Sequence, residues 1–232
     1  MMTTDVGPEL FIGLVGAVGV GLDALIASLT DSLAAVEYTA KPPIRLAGLL
    51  RELPEYAQLP EPIGPLDVYI DSLMTAGDEF RERTGRHDAL ALLGIAEIIQ
   101  QRKDAGVAEG YTIPRRAYLI RSLKHPSEVK TLRRVYGQNF VLVAAYAPHD
   151  IRRDNLARGI AQTRNEFPTD RHIPEAERLI TRDQEELDLP NGQNLRDTFH
   201  RADVFVDTTD AATLRQSVNR FVELLEEEDC AR

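Results

Sequence analysis

Tryptophan is absent from this chain, and aromatic residues make up only 6%. So low a content disfavours a stacking platform for single-stranded nucleic acid. Cysteine occurs once, at Cys230. A lone thiol excludes an intrachain disulfide and any zinc site built from several thiolates. Positive charge is scarce: 27 Lys and Arg stand against 37 Asp and Glu, a net charge of −10. That balance disfavours broad attraction to nucleic acid or anionic lipid, while leaving local basic clusters and a regulatory RNA open. A long unbroken apolar run is missing too. The best stretch, residues 11–29, is interrupted by Gly13, Gly16, Gly19, Gly21 and Asp23. No signal peptide, transmembrane helix or membrane partner is expected, and cytoplasmic residence fits.

What is present suits one α/β domain over residues 1–232. The length is ordinary for such a domain, and 43% hydrophobic residues suffice for a sizeable core. Phe11–Val15 is a short apolar run without alternation, as in a parallel strand buried on both faces. Glycines follow, then a helical stripe of Leu22, Leu25, Ile26, Leu29, Leu33 and Val36. Five prolines between Lys41 and Gly64 forbid one regular element there. Ile44–Leu46 reads as a short strand and Ala47–Leu53 as one or two helical turns. Residues 65–83 read as a helix. A second helix over 88–103 is apolar around most of its circumference, so deep burial is expected, with Asp88 as its N-cap or first-turn acid. Ala117–Ile120 and Phe140–Tyr146 are strands. Between them, Pro126 and Glu128 start a helix that Gly137 ends. Two charged helices over 149–190 form a lid-like insertion. Val204–Val206 is a last strand and Ala211–Glu227 a closing helix. Strands alternating with helices predict a three-layer α/β/α fold of P-loop, nucleoside monophosphate kinase-like type, with about five parallel strands.

The glycine segment Gly16-Ala17-Val18-Gly19-Val20-Gly21-Leu22-Asp23 lies on the phosphate-loop frame G-x-x-x-x-G-K-[ST], directly after a buried strand and opening a helix. In that setting backbone N–H groups and a helix N-terminus cradle an anion. Two positions depart from the frame. Leu22 replaces the lysine that reaches the β/γ-phosphates, and Asp23 replaces the hydroxyl that holds Mg²⁺. Phosphoryl transfer depends on positioning and electrostatic stabilisation, so these losses argue against kinase chemistry and for no catalytic residue here. The plain alternative is a tight strand-to-helix turn. Kinases of this type also place an acid at a strand end to manage the metal. The corresponding strand end is basic, Arg121-Ser122-Leu123-Lys124.

Further candidates for a phosphorylated ligand are arginines. Arg83 and Arg86, with Arg81, flank the start of the second helix. Arg152 and Arg153 lie on the first charged helix, where a lid would bring them onto phosphates. The alternatives are a solvated helix junction and, for Arg178 and Arg182, a surface ladder of i,i+4 pairs. Gln193 and Arg196 lie in a polar turn that could read a base or organise a homo-oligomer. The five histidines, His87, His125, His149, His172 and His200, have neither His-Glu-x-x-His spacing nor a His-x-Glu partnered by Pro-Cys-x-x-Cys, so no metal site is expected.

Five segments together suggest a family: Gly13–Gly19, Gly85–Ala91, Arg121–Val129, Arg133–Gly137 and Gly192–Asp207. The specific ones are Arg121-Ser122-Leu123-Lys124-His125-Pro126 and Gly192-Gln193-Asn194-Leu195-Arg196-Asp197-Thr198-Phe199. From about Phe11 to Leu225 the chain resembles the N-terminal P-loop kinase-like domain of the anti-phage deoxycytidylate (dCMP/dCTP) deaminase family. The resemblance implies a regulatory domain for a zinc-dependent cytidine/deoxycytidylate deaminase, acting in cis or trans in antiviral nucleotide depletion. The bound molecule would be a nucleotide: dNTP, dNMP or ATP. The deaminase's zinc signature is absent here, so the resemblance implies either an isolated domain or a standalone relative. Two other readings stand beside it. One is an active nucleoside monophosphate kinase using an unusual lysine such as Lys124. The other is a structural module that oligomerises.

Overall fold

The computed structural model describes residues 7–108, 110–185 and 194–230. Strand β1 (Leu10–Gly16) is buried along its whole length. It pairs in parallel with β4 (Arg116–Arg121) on one side and β5 (Phe140–Tyr146) on the other. Only a central parallel strand with both faces covered lets so continuous an apolar run satisfy its backbone. Beyond β5 lies β6 (Val204–Asp207), also parallel. Along the other edge, β2 (Thr39–Ala40) and β3 (Ile44–Arg45) both pair with β4. They belong to one pass of chain. Pro42 and Pro43 lack the N–H that the ladder needs and interrupt it. Six short strands therefore fill five positions across the sheet, in the order β2/β3, β4, β1, β5, β6. The three-layer α/β/α fold is the one expected, with β2 as an unforeseen strand.

Alternation along β1 feeds both layers. Ile12 and Leu14 face Leu25, Leu29 and Leu33 of helix α1 (Leu22–Ala35) and Val218 and Val222 of helix α8 (Ala211–Cys230). Phe11 and Val15 face Leu90 and Ile98 of helix α3 (Ala89–Asp104) and Val129 and Leu132 of helix α4 (Pro126–Tyr136). Each such buried aliphatic side chain contributes roughly 1.5–3 kcal/mol. Helix α2 (Leu66–Thr84) bridges this second layer to a third cluster. There Leu156 and Ile160 of helix α5 (His149–Arg164) meet Leu179 and Ile180 of helix α6 (Ile173–Glu185), with Leu66, Ile70 and the loop residue Val18 at the border.

Several local expectations are corrected. Helix α3 is not buried all round, because Leu92 and Ile99 are exposed. Its N-cap residue Asp88 makes no capping hydrogen bond. The carboxylate instead accepts two hydrogen bonds from Arg86 and one from Thr131 at 2.6 Å. Those bonds hold its pKa below the usual carboxylate range, Arg86 being the main cause. The strong cap lies at α4. His125 Nδ1 accepts from the Ser127 N–H, and Glu128 accepts from the His125 N–H, a capping box. The polar turn before β6 contains a short helix α7 (Leu195–Phe199), capped by Asn194. Arg178 and Arg182 reach across to a neighbouring helix. Both clamp Asp71 of α2, at 3.0 and 2.7 Å.

Candidate functional site

The glycine loop leaves the C-terminal end of β1, where a parallel sheet presents its strand ends to ligands. Two glycines make its path possible. Gly19 has φ +82°, and a Cβ there would sit 2.5 Å from the Arg152 carbonyl oxygen, so only glycine lets α5 approach so closely. Gly21 has φ +81° and caps α1 with no side chain. No side chain caps the first turn of α1, and the helix dipole makes that end positive.

Each half of the loop is tied differently. At the entry, the Val18 N–H donates to Asp183 Oδ2 at 2.8 Å. The other oxygen, Oδ1, accepts from Lys124 Nζ at 2.7 Å. Lys124 Nζ also donates to the Gly16 carbonyl at 3.3 Å. Asp183 is 1% exposed. The carbonyls of Val18 and Gly19 accept from Arg152 Nη1 and Asn155 Nδ2 of α5, at 3.4 and 3.2 Å. At the exit, Leu22 turns into the core under α1 rather than toward a phosphate. Asp23 accepts from Arg121 Nη1 at 2.6 Å and lies 3.5 Å from Arg45 Nη2. Burial pulls the Arg121 pKa down, opposed by the Asp23 charge. The guanidinium nevertheless stays charged. The usual polarity is thereby inverted: the loop carries the acid and the strand end carries the cation.

A cavity of about 300 Å³ opens beside the loop. The whole segment Gly16–Asp23 lines it, together with Arg45, Arg121 and Lys124. Tyr69, Leu73 and Met74 of α2 form part of its apolar wall. Ser122, also on its rim, has φ +66°. A non-glycine residue held there costs on the order of 1–3 kcal/mol, a strain that concentrates at functional sites. The kink lies between Arg121, which reaches the loop exit, and Lys124, which reaches the entry.

The arginine candidates separate. Arg152 is buried against the loop, as described. Arg196 lines a second cavity of about 320 Å³ on the far side of the loop, with Arg152, Asp183, Tyr146 and Phe199. Arg83 lies away from both, paired with Glu55 at 3.1 Å and set over the Tyr56 ring. Arg86 is committed to Asp88, and Arg153 to Asp154 at 2.8 Å. Arg81 does reach the first cavity, but it is 3% exposed and held by Asp78 and Glu128. Gln193 lies outside the described residues. Asp183, Asn155, Arg45 and Tyr69 were not suggested by the sequence. Asp183 is one acid among many on a charged helix, 165 positions from its partner Val18. Among the described residues, no group of three or more His, Cys, Asp or Glu could hold a metal ion. None of their helices is long and apolar enough to cross a membrane.

A buried parallel strand, a glycine turn and a helix N-terminus opening onto a cleft are the arrangement of a phosphate-loop, three-layer α/β/α fold. Solved structures similar to the chain include TT1252 from Thermus thermophilus, at 14% identity over 94% of this chain and 97% of that one, with a TM-score of 0.48. A gluconokinase from Sinorhizobium meliloti 1021 is similar at 16% identity over 95% of each chain, with a TM-score of 0.43. No family model and no curated protein matches the sequence.

Proposed function

We propose that this chain is a nucleotide-binding P-loop domain that has given up phosphoryl transfer and regulates a deoxycytidine nucleotide deaminase in antiviral defence. One observation carries the binding half: Arg45, Arg121 and Lys124 converge with the glycine loop on a single cavity whose other wall is apolar. Cations beside uncapped helix N–H groups suit phosphate, and Tyr69 with the aliphatic wall suits a base and sugar. The loss of chemistry follows from Leu22 and Asp23. The first is buried, and the second is already paired with Arg121. The resemblance of the Arg121–Pro126 and Gly192–Phe199 segments supports the deaminase half. On this reading α5 and α6 act as a lid-like insertion, and the effector deaminase is controlled in cis or trans.

Calorimetric titration with dCTP, dCMP and ATP, alongside a coupled ADP-release assay, tests the proposal. Saturable binding of at least one nucleotide without turnover is expected. Failure of all three to bind, or failure of the domain to alter a partner deaminase's rate, overturns it. One observation favours a kinase as the second reading. A lysine does stand at the loop, delivered by the β4 end rather than by the loop itself. ADP release that disappears in Lys124→Ala would establish that reading, and absence of turnover in the unaltered chain removes it. An assembly state indifferent to every nucleotide in light scattering would favour a purely structural module.

A further inference from the structure

We propose that the Asp183 carboxylate is a built-in stand-in for a ligand phosphoryl group, and that a nucleoside triphosphate binds by displacing it. The inference rests on the nucleotide-binding reading above and names both the ligand class and the gate of that site. The carboxylate uses one oxygen for the loop N–H of Val18 and the other for the Lys124 ammonium. These are the two kinds of donor a phosphate loop offers a phosphate: a backbone amide and a lysine. A buried carboxylate without such partners would be costly, so Asp183 and the loop satisfy each other.

The placement of this pair relative to the two cavities identifies what it gates. Ala17 and Val20 line both cavities. Lys124 lines the first and Asp183 the second, and the two side chains touch at 2.7 Å. Their ion pair is the partition between the cavities. Arg45, Arg121 and Lys124 stand on one side, Arg152 and Arg196 on the other. A monophosphate fits within the first cavity and leaves the partition alone. A triphosphate is long enough to cross it, and its phosphoryl oxygens take over the Val18 N–H and the Lys124 ammonium. Asp183 lies in the last turn of α6, where a carboxylate opposes the helix dipole. The α6 body stays anchored to α2 through Arg178 and Arg182 on Asp71, which confines the movement to the end of the helix.

Calorimetric titration of the full chain and of Asp183→Asn with dCTP and dCMP tests the proposal. The variant should bind dCTP about tenfold more tightly or better, because the competing charge is gone, while dCMP affinity changes less than about threefold. Equal dCTP affinity in both proteins overturns the gate and leaves the nucleotide-binding reading intact. Binding of dCTP by the variant alone supports the gate and overturns that reading for the unaltered chain. Binding by neither overturns both. Should the variant fail to fold, hydrogen exchange of the unaltered chain with saturating dCTP decides. Faster exchange at the end of α6, with Val18 still protected, supports the gate, and unchanged exchange at α6 overturns it.

Discussion

The two faces of the sheet are built on opposite principles. The face covered by α1 and α8 is almost wholly apolar, with a cross-helix polar contact from Ser32 Oγ to Asn219 Oδ1 at 2.7 Å. The opposite side is threaded with charge. Glu128 is 0% exposed and bound by Arg81 and by the Lys124 and His125 N–H groups. Glu9, also buried, pairs with Arg102. Asp67 pairs with Arg164; burial works to raise its pKa, but the hydrogen bonds and charge of Arg164 outweigh burial and hold it low. Burying charge is a poor route to stability, since well-packed apolar groups do as well or better. The charged side is also the side that carries the cleft. Its expense is best understood as positioning: Glu128 holds the turn that aims Lys124 at the loop.

If the faces differ in this way, variants on each should fail differently. The largest effect is expected for Arg81→Ala, which removes the cation paired with the fully buried Glu128 carboxylate. Urea unfolding should show a loss of about 3–5 kcal/mol, and nucleotide affinity should fall with it, because Arg81 no longer steadies the Glu128 carboxylate that holds the Lys124 turn. On the apolar face, Leu29→Ala should cost about 2–5 kcal/mol yet leave affinity per folded molecule unchanged. Altered affinity in Leu29→Ala, or unaltered affinity in Arg81→Ala, would break the comparison.

Next in size is the loop exit. Leu22→Lys with Asp23→Ser should tighten triphosphate binding by about tenfold. It should not produce ADP release, since the strand end still presents Arg121 instead of an acid. Turnover in this variant would show that the chemistry was lost only in the loop.

The smallest effect concerns pH. His125 stacks on His87 at 4.5 Å and lies half-buried near Arg81. Burial chiefly, with the nearby His87 and Arg81 charges, lowers its pKa from 6.5 to about 4. The folded state therefore binds fewer protons than the unfolded state between those values. Stability contributed by neutral His125 is complete above pH 6.5 and is lost as pH falls toward 4. Thermal unfolding across that window should show the slope, and His125→Asn, which keeps an N-cap acceptor, should flatten it. An unchanged slope would place the titration elsewhere, Asp88 and Asp67 being lost only at still lower pH.

Much of the layout is legible in the sequence. Strand β5, helix α4 with its Pro126 start and Gly137 stop, and the strand–loop–helix at Gly16–Asp23 follow from apolar runs and turn residues that act over a few positions. The burial of α3 is less complete than its pattern implies, because periodicity reports how much of a helix is apolar and not how much partner surface exists to cover it. Asp88 does stand at the N-cap position of α3, but Arg86 and Thr131 take its carboxylate oxygens.

The amino-acid sequence by itself determined the sheet's central strands, the place of the glycine loop and the loss of its lysine and hydroxyl. Backbone conformation, helix caps and apolar periodicity are settled by neighbours along the chain. Only the tertiary structure decided which charges meet. Asp183 and Lys124 are separated by 59 positions, Asp23 and Arg121 by 98, and Arg182 and Asp71 by 111. Any acid can pair with any base in a sequence. Packing of α5, α6 and the β4 end against one loop selects among them, because a charge removed from water must find the partner that the fold brings within reach.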